Sequence, residues 1–169
     1  MRRVPATVPP DDHMIAAIDS IRRILHALRA SARRAEALPG GVTGAQLFVL
    51  QTLAGGPVRS LNELATRTFT HQSTVSVVVG RLVARGLVIR RRSADDGRRL
   101  ELQLSPSGRK LVRRSPPMAQ HRLIGALHAL PARDARQLAR LLGRLVELMG
   151  AAHGAPPMFF EVRTTDPAR

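Results

Sequence analysis

Along residues 11–37, DDHMIAAIDSIRRILHALRASARRAEA, the apolar positions Met14, Ile18, Ile21, Leu25 and Leu28 recur at spacings of four and three. That is the period of one helical face, and so narrow a stripe suits packing on another helix, within the chain or across a dimer. Asp11 or Asp12 can cap the start, and Pro39-Gly40-Gly41 ends the pattern. Thr43 can cap a second helix over Gly44–Ala54, with Leu47, Leu50 and Leu53 turned inward beside Phe48. Ser60 opens a third helix. Glu63 follows at capping-box spacing, in which each residue's side chain satisfies the other's free N–H. Leu61, Leu64 and Ala65 are its apolar positions.

Thr68-Phe69-Thr70 interrupts the pattern. A fourth helix, His71–Arg85, is predicted next, with Thr70 as its cap and Val75, Val78 or Val79, and Leu82 on its inner side. The run from Val75 to Val79 has high β propensity, but the length of the pattern and the closing Arg85-Gly86 favour a helix. The pattern then changes from a helical period to alternation. Leu87–Arg92 and Leu100–Ser105 read as strands, with Leu100, Leu102 and Leu104 on one face. Asp95-Asp96-Gly97 between them is a hairpin turn. Ser105-Pro106 starts a fifth helix, and Ser115-Pro116-Pro117 must interrupt or kink it before the pattern resumes over Met118–Leu130. A sixth, Pro131–Met149, carries Leu138, Leu141, Leu142, Leu145 and Leu148 on one side.

Composition adds direction. The 169 residues carry a formal charge of +15, and Lys110 is the only lysine. Residues 59–110 alone contribute +7, whereas 11–58 contribute +1 and 151–169 sum to zero. A polyanionic partner fits that distribution, and a solvated basic face is the plainer reading of the charge by itself. Aromatic residues make up only 2%, so the core is built from Leu, Val, Ile and Ala. The absence of cysteine excludes disulfides, thiolate metal sites and thiol sensing in this chain. No apolar run reaches membrane-spanning length, and MRRVPATVPP lacks the apolar segment of an export signal, so a cytoplasmic protein is expected.

Candidate chemistry is sparse. Asp95 and Asp96 share an exposed turn with no histidine nearby in sequence. His13, His26, His121, His128 and His153 show no metal-ligand spacing, and no catalytic residue, metal site or cofactor is expected. His26 reads as a partly buried structural histidine. Met158-Phe159-Phe160 is an apolar island in a Gly- and Pro-rich tail, either docked in a groove or unstructured.

Residues 60–104 thus run helix, turn, helix, strand, hairpin, strand, the order of a winged helix-turn-helix. Polar residues His71, Gln72, Ser73, Thr74 and Ser76 begin the fourth helix, whose first turns can reach base edges in a major groove. Three matches make the stretch resemble the MarR family of bacterial regulators: STVSVVVGRLVARGLV, the wing motif Asp96-Gly97-Arg98, and Leu102-Gln103-Leu104-Ser105 followed by Gly108. The match is dense over about residues 43–112.

The resemblance implies a mostly α fold with a small β-wing. Its expected parts are a disordered N-terminal arm (1–10), a dimerisation helix (11–39), a DNA-binding lobe (43–112), C-terminal dimerisation helices (113–149) and a tail (150–169). It implies a homodimeric regulator, most often a repressor, that binds an inverted repeat in double-stranded DNA. His71, Gln72, Ser73, Thr74, Ser76 and Arg81 would face DNA from the recognition helix. Arg98 would enter the minor groove with Asp96 orienting it, and Arg99, Arg90, Arg91 and Arg92 would reach phosphates. The family also implies a small-molecule effector, often an aromatic carboxylate, though no residue pattern identifies one. Val77 stands where the family often has a polar residue, Gly80 where an acid is common, and Phe69 where a turn glycine is frequent. These departures favour apolar or hydroxyl readout, and Val77 either touches a thymine methyl or is buried. They also keep open a second class, an architectural nucleic-acid binder without a specific operator. An enzyme acting on an anionic substrate is a third class that no constellation supports.

Overall fold

The computed structural model describes residues 11–92, 100–151 and 158–159. Among these are seven helices and two strands: α1 Asp12–Glu36, α2 Gly44–Ala54, α3 Leu61–Arg67, α4 Gln72–Ala84, β1 Val88–Arg92, β2 Leu100–Leu104, α5 Pro106–Arg114, α6 Ala119–Ala129 and α7 Ala132–Leu148. The fold is mostly helical with a small β-wing. Ser115 to Pro117 separates α5 from α6 outright, so of the interruption and the kink left open in sequence the chain takes the interruption. A proline cannot donate the backbone bond that would continue α5.

The helix starts follow local chemistry. Asp11 accepts the Met14 N–H at 2.7 Å. Thr43 and Gln46 form a reciprocal capping box, each side chain accepting the other's backbone N–H. Ser60 accepts from the Glu63 N–H, but the Glu63 carboxylate does not complete the expected box. It accepts the Arg59 N–H at 2.7 Å and pairs with Arg67 at 2.6 Å. Its pKa is accordingly lowered, mainly by the Arg59 N–H; burial opposes this, and the charge and hydrogen bond of Arg67 lower it further.

The core is aliphatic. Val42, Leu47, Val49, Leu50 and Leu53 from α2 and its approach meet Leu64 of α3, Val75, Val78, Val79 and Leu82 of α4, and Val88, Leu102 and Leu104 of the strands. The buried valines of α4 settle its β-prone run as helix. The strands pair antiparallel, Val88 opposite Leu104 and Arg92 opposite Leu100. Val58 adds a bridge to Leu102, through bonds of 3.0 and 2.8 Å, and so anchors the wing's root to the segment before α3. Gly108 lets α5 lie directly against the chain entering β1, because a Cβ there would stand 2.1 Å from the Leu87 carbonyl oxygen.

A polar node ties the lobe to its flanking helices. The Gln51 amide donates to Ser115 Oγ at 3.0 Å and the Pro116 carbonyl at 2.8 Å, and its oxygen accepts the Met118 N–H at 2.9 Å. Ser31 of α1 accepts the Ala119 N–H at 3.0 Å. Beyond this node the apolar faces lie open. Met14, Ile15, Ile18, Ile21 and Ile24 of α1 are each 40% or more exposed, and α7 buries none of its residues. His26 is exposed as well, not partly buried as its helical setting suggested. Met158 of the tail, in contrast, is buried in the core. No helix among the described residues is long and apolar enough to cross a membrane.

Candidate nucleic-acid interface

The turn between α3 and α4 sets the direction of α4. Thr68 is buried, and its hydroxyl donates to the Leu64 and Ala65 carbonyls, closing α3. Phe69 then takes φ +52°, and Thr70 N–H returns to the Ala65 carbonyl at 3.0 Å. Phe69 therefore occupies the left-handed conformation for which glycine is the unstrained choice, at a cost of about 1–2 kcal/mol. Its ring is 63% exposed and meets His128 of α6 edge-on, with centroids 5.4 Å apart. The N-cap of α4 is His71, one residue later than the expected Thr70, and it makes no side-chain capping bond. Two adjacent polar residues before an apolar run leave that choice open in sequence, and the turn's geometry decides it.

The two faces of α4 differ sharply. Val75, Val78, Val79 and Leu82 are buried, whereas Gln72, Ser73, Ser76, Val77 and Gly80 are exposed. His71 is exposed at the start, and Thr74 and Arg81 are half-buried at the edges of the outer face. Of the six recognition-helix candidates, four thus lie open at or near its first turn. Val77, which sequence left between burial and exposure, is 47% exposed and belongs to the outer stripe. The other end is fixed by Arg85, whose guanidinium donates to the Gly41 carbonyl at 2.9 Å and to Gln46 Oε1 at 3.0 Å and also bonds the Gly40 carbonyl. This clamp uses the arginine for structure.

Arg90 and Arg91 project exposed from β1, and Arg92 ends the strand opposite Leu100. Asp96, Arg98 and Arg99, the expected wing tip, lie outside the described residues. Among the described residues no group of three His, Cys, Asp or Glu side chains gathers to hold a metal. His121 is half-buried between α2 and α6, its ring 4.5 Å from that of Phe48 and its Nε2 3.4 Å from Thr52 Oγ1. Burial lowers its pKa. It sits in the packing, away from the outer face of α4.

The exposed helix, its buried counter-face and the paired strands behind it define a winged helix-turn-helix DNA-binding protein. The MarR family model matches residues 40–99, which run from just before α2 to the residue before β2. No curated protein sequence matches the chain. Among solved structures, the chain is similar to BpsR of Bordetella bronchiseptica, whose DNA binding is regulated by 6-hydroxynicotinic acid. The two are 26% identical over 82% of this chain and 99% of BpsR, with a TM-score of 0.50. Rv1404 of Mycobacterium tuberculosis is 25% identical over 85% of this chain and 96% of its own, with a TM-score of 0.51. Sco5413 of Streptomyces coelicolor, a MarR family transcriptional regulator, shares the fold at 24% identity over 85% of this chain and 100% of its own, with a TM-score of 0.50. Over residues 40–99 the chain carries the sequence pattern of the MarR family, whose members are transcriptional regulators and not enzymes.

Proposed function

We propose that the protein is a homodimeric, sequence-specific repressor that works in the cytoplasm and releases DNA in response to a small molecule. The observation that carries the reading is the outer face of α4, with His71, Gln72, Ser73 and Ser76 open at its start and Arg90 and Arg91 exposed on the adjoining strand. A helix of this kind fits a major groove with its first turn toward the bases, while arginines on the wing reach the backbone. Arg98 at the wing tip, oriented by Asp96, is assigned to the minor groove, and Arg92 and Arg99 to nearby phosphates. Thr74 and Arg81 flank the base-reading stripe.

The open apolar stripes of α1 and α7 supply the dimer contact. A soluble chain gains by burying such faces, and a twofold partner presents the same faces in return. Two recognition helices related by that axis read an inverted repeat with half-sites about one helical turn, ~10 bp, apart. The regulated binding of BpsR supports an effector for this chain too, bound where a change in shape can alter the spacing of the two helices.

Selection of bound duplexes from a random pool tests the reading. An enriched inverted repeat supports it, and Arg98→Ala should then weaken binding to that repeat while the dimer stays intact. Val77 and Gly80 on the outer face, in place of polar groups, favour a second reading, an architectural binder. Equal affinity for selected and random DNA would decide for that reading.

A further inference from the structure

Between the α3–α4 turn, α6 and the tail lies a cavity of about 540 Å³. It is of the size that holds a small organic ligand. Phe48, Phe69, Leu123, Ile124, Leu127 and Phe159 make it largely aromatic and aliphatic. One lining residue is at odds with the rest. Gln120 is only 2% exposed, and both its amide nitrogen and its amide oxygen lack a hydrogen-bond partner. A buried carboxamide without partners is a costly arrangement, and its two atoms ask for one acceptor and one donor side by side. Among the described residues no Lys, Arg, Asp or Glu lines the cavity, and His71 and His128 are the titratable side chains.

We propose that this cavity binds a neutral, mostly apolar ligand of one or two fused rings with an amide or lactam edge, and that Gln120 recognises that edge through a paired donor and acceptor. The inference rests on the effector-responsive reading above and names the class of effector. It departs from the aromatic carboxylate expected from the family, because a carboxylate entering here would lose its hydration without meeting a fixed cation among the described lining residues. The pairing requires the Gln120 amide to turn toward the cavity its residue already lines. The same cavity is walled by Thr68, Phe69, Thr70 and His71, the turn that starts α4. A ligand seated against Phe69 and Leu127 touches the recognition helix's point of entry and α6 together, so it can favour one placement of α4 over another.

Calorimetric titration of the full chain with three probes tests this: isoquinolin-1(2H)-one, its N-methyl derivative and 1-naphthoate. The lactam should bind about tenfold more tightly than either of the others, the discrimination expected of one buried hydrogen bond. Gln120→Leu should bring the lactam down to the level of its N-methyl derivative. Equal affinities, preference for naphthoate, or no binding by the folded wild-type chain would overturn the proposal. If Gln120→Leu does not fold, the ranking of the three probes on the wild-type chain decides alone. DNA affinity of the ligand-free protein is measured separately. Failure there sinks the regulator reading and leaves the ligand site standing, whereas a failed titration beside intact DNA binding sinks only the site.

Discussion

Alanine at Gly108 and alanine at Gly80 should move stability in opposite directions, although both glycines are helical. In an open helix the exchange favours folding by about 1 kcal/mol, because alanine has less backbone freedom to lose. Gly80 is such a site: it is exposed, and an added Cβ meets nothing within 4 Å. At Gly108 the Cβ would stand 2.1 Å from the Leu87 carbonyl oxygen and 3.1 Å from its carbon, so that α5 and the chain entering β1 must part until the first distance reaches at least 3.0 Å. The same Leu87 oxygen accepts the Ser105 N–H at 3.0 Å, and Ser105 caps α5 by accepting the Gly108 N–H at 2.9 Å while donating to the Gly86 carbonyl at 2.7 Å. Parting the two segments strains all three bonds. Overpacking costs about 1–3 kcal/mol and loss of the cap about 1 kcal/mol, against the propensity gain of about 1 kcal/mol. The net expectation for Gly108→Ala is a loss of about 2 kcal/mol. Urea unfolding at one fixed protein concentration reads both variants as shifts of midpoint at unchanged slope. A Gly108→Ala protein as stable as wild type, beside a Gly80→Ala protein that gains, would refute the close approach of α5 to β1.

Three further expectations follow from the packing. Met158→Ala should destabilise by about 2 kcal/mol, the low end for a buried methionine; an unchanged urea midpoint would mean that the tail leaves the core in solution. Gln51→Ala should cost about 1–3 kcal/mol by stranding the Met118 N–H, and Gln51→Glu should not restore it, since a carboxylate cannot donate to the Pro116 carbonyl. His121, lowered from the ordinary 6.5 by burial, takes up its proton more readily unfolded than folded. Its contribution to stability is therefore complete above 6.5 and is lost as pH falls from there through the folded value. Unfolding midpoints compared between neutral and mildly acidic buffer should show that fall, and His121→Gln should reduce it.

Much of the scaffold was legible because its punctuation is chemical. Asp11, Thr43, Ser60 and Ser105 each cap the helix that follows, and the glycine and proline pairs stop the helices where the pattern breaks. The wing strands declared themselves by alternation. What sequence left open depends on contacts between distant residues or on choices between neighbours. Nothing local tells whether Thr70 or His71 begins α4, or that Glu63 reaches Arg59 rather than Ser60. Val77 has the same composition cue as its buried neighbours, and only the rotation of α4 brings it outward. Gln51 and Gln120 were passed over, and the docking of Met158 was left open, because a polar side chain in a helix, or a methionine in a tail, gains its meaning from what folds against it. The outer face of α4 was visible as a run of polar residues, while the cavity behind it was not.

The node around Gln51 has a mechanical consequence. One carboxamide gathers three bonds from the proline-interrupted linker, and Ser31 adds a fourth from α1. Torque applied to the C-terminal helices is therefore not absorbed at the linker, although two adjacent prolines without N–H groups would otherwise make it the softest joint in the chain. It passes into α1 and α2 as into one stiff bracket. Compliance is left to the part of the lobe that the bracket does not grip, the strained turn at Phe69.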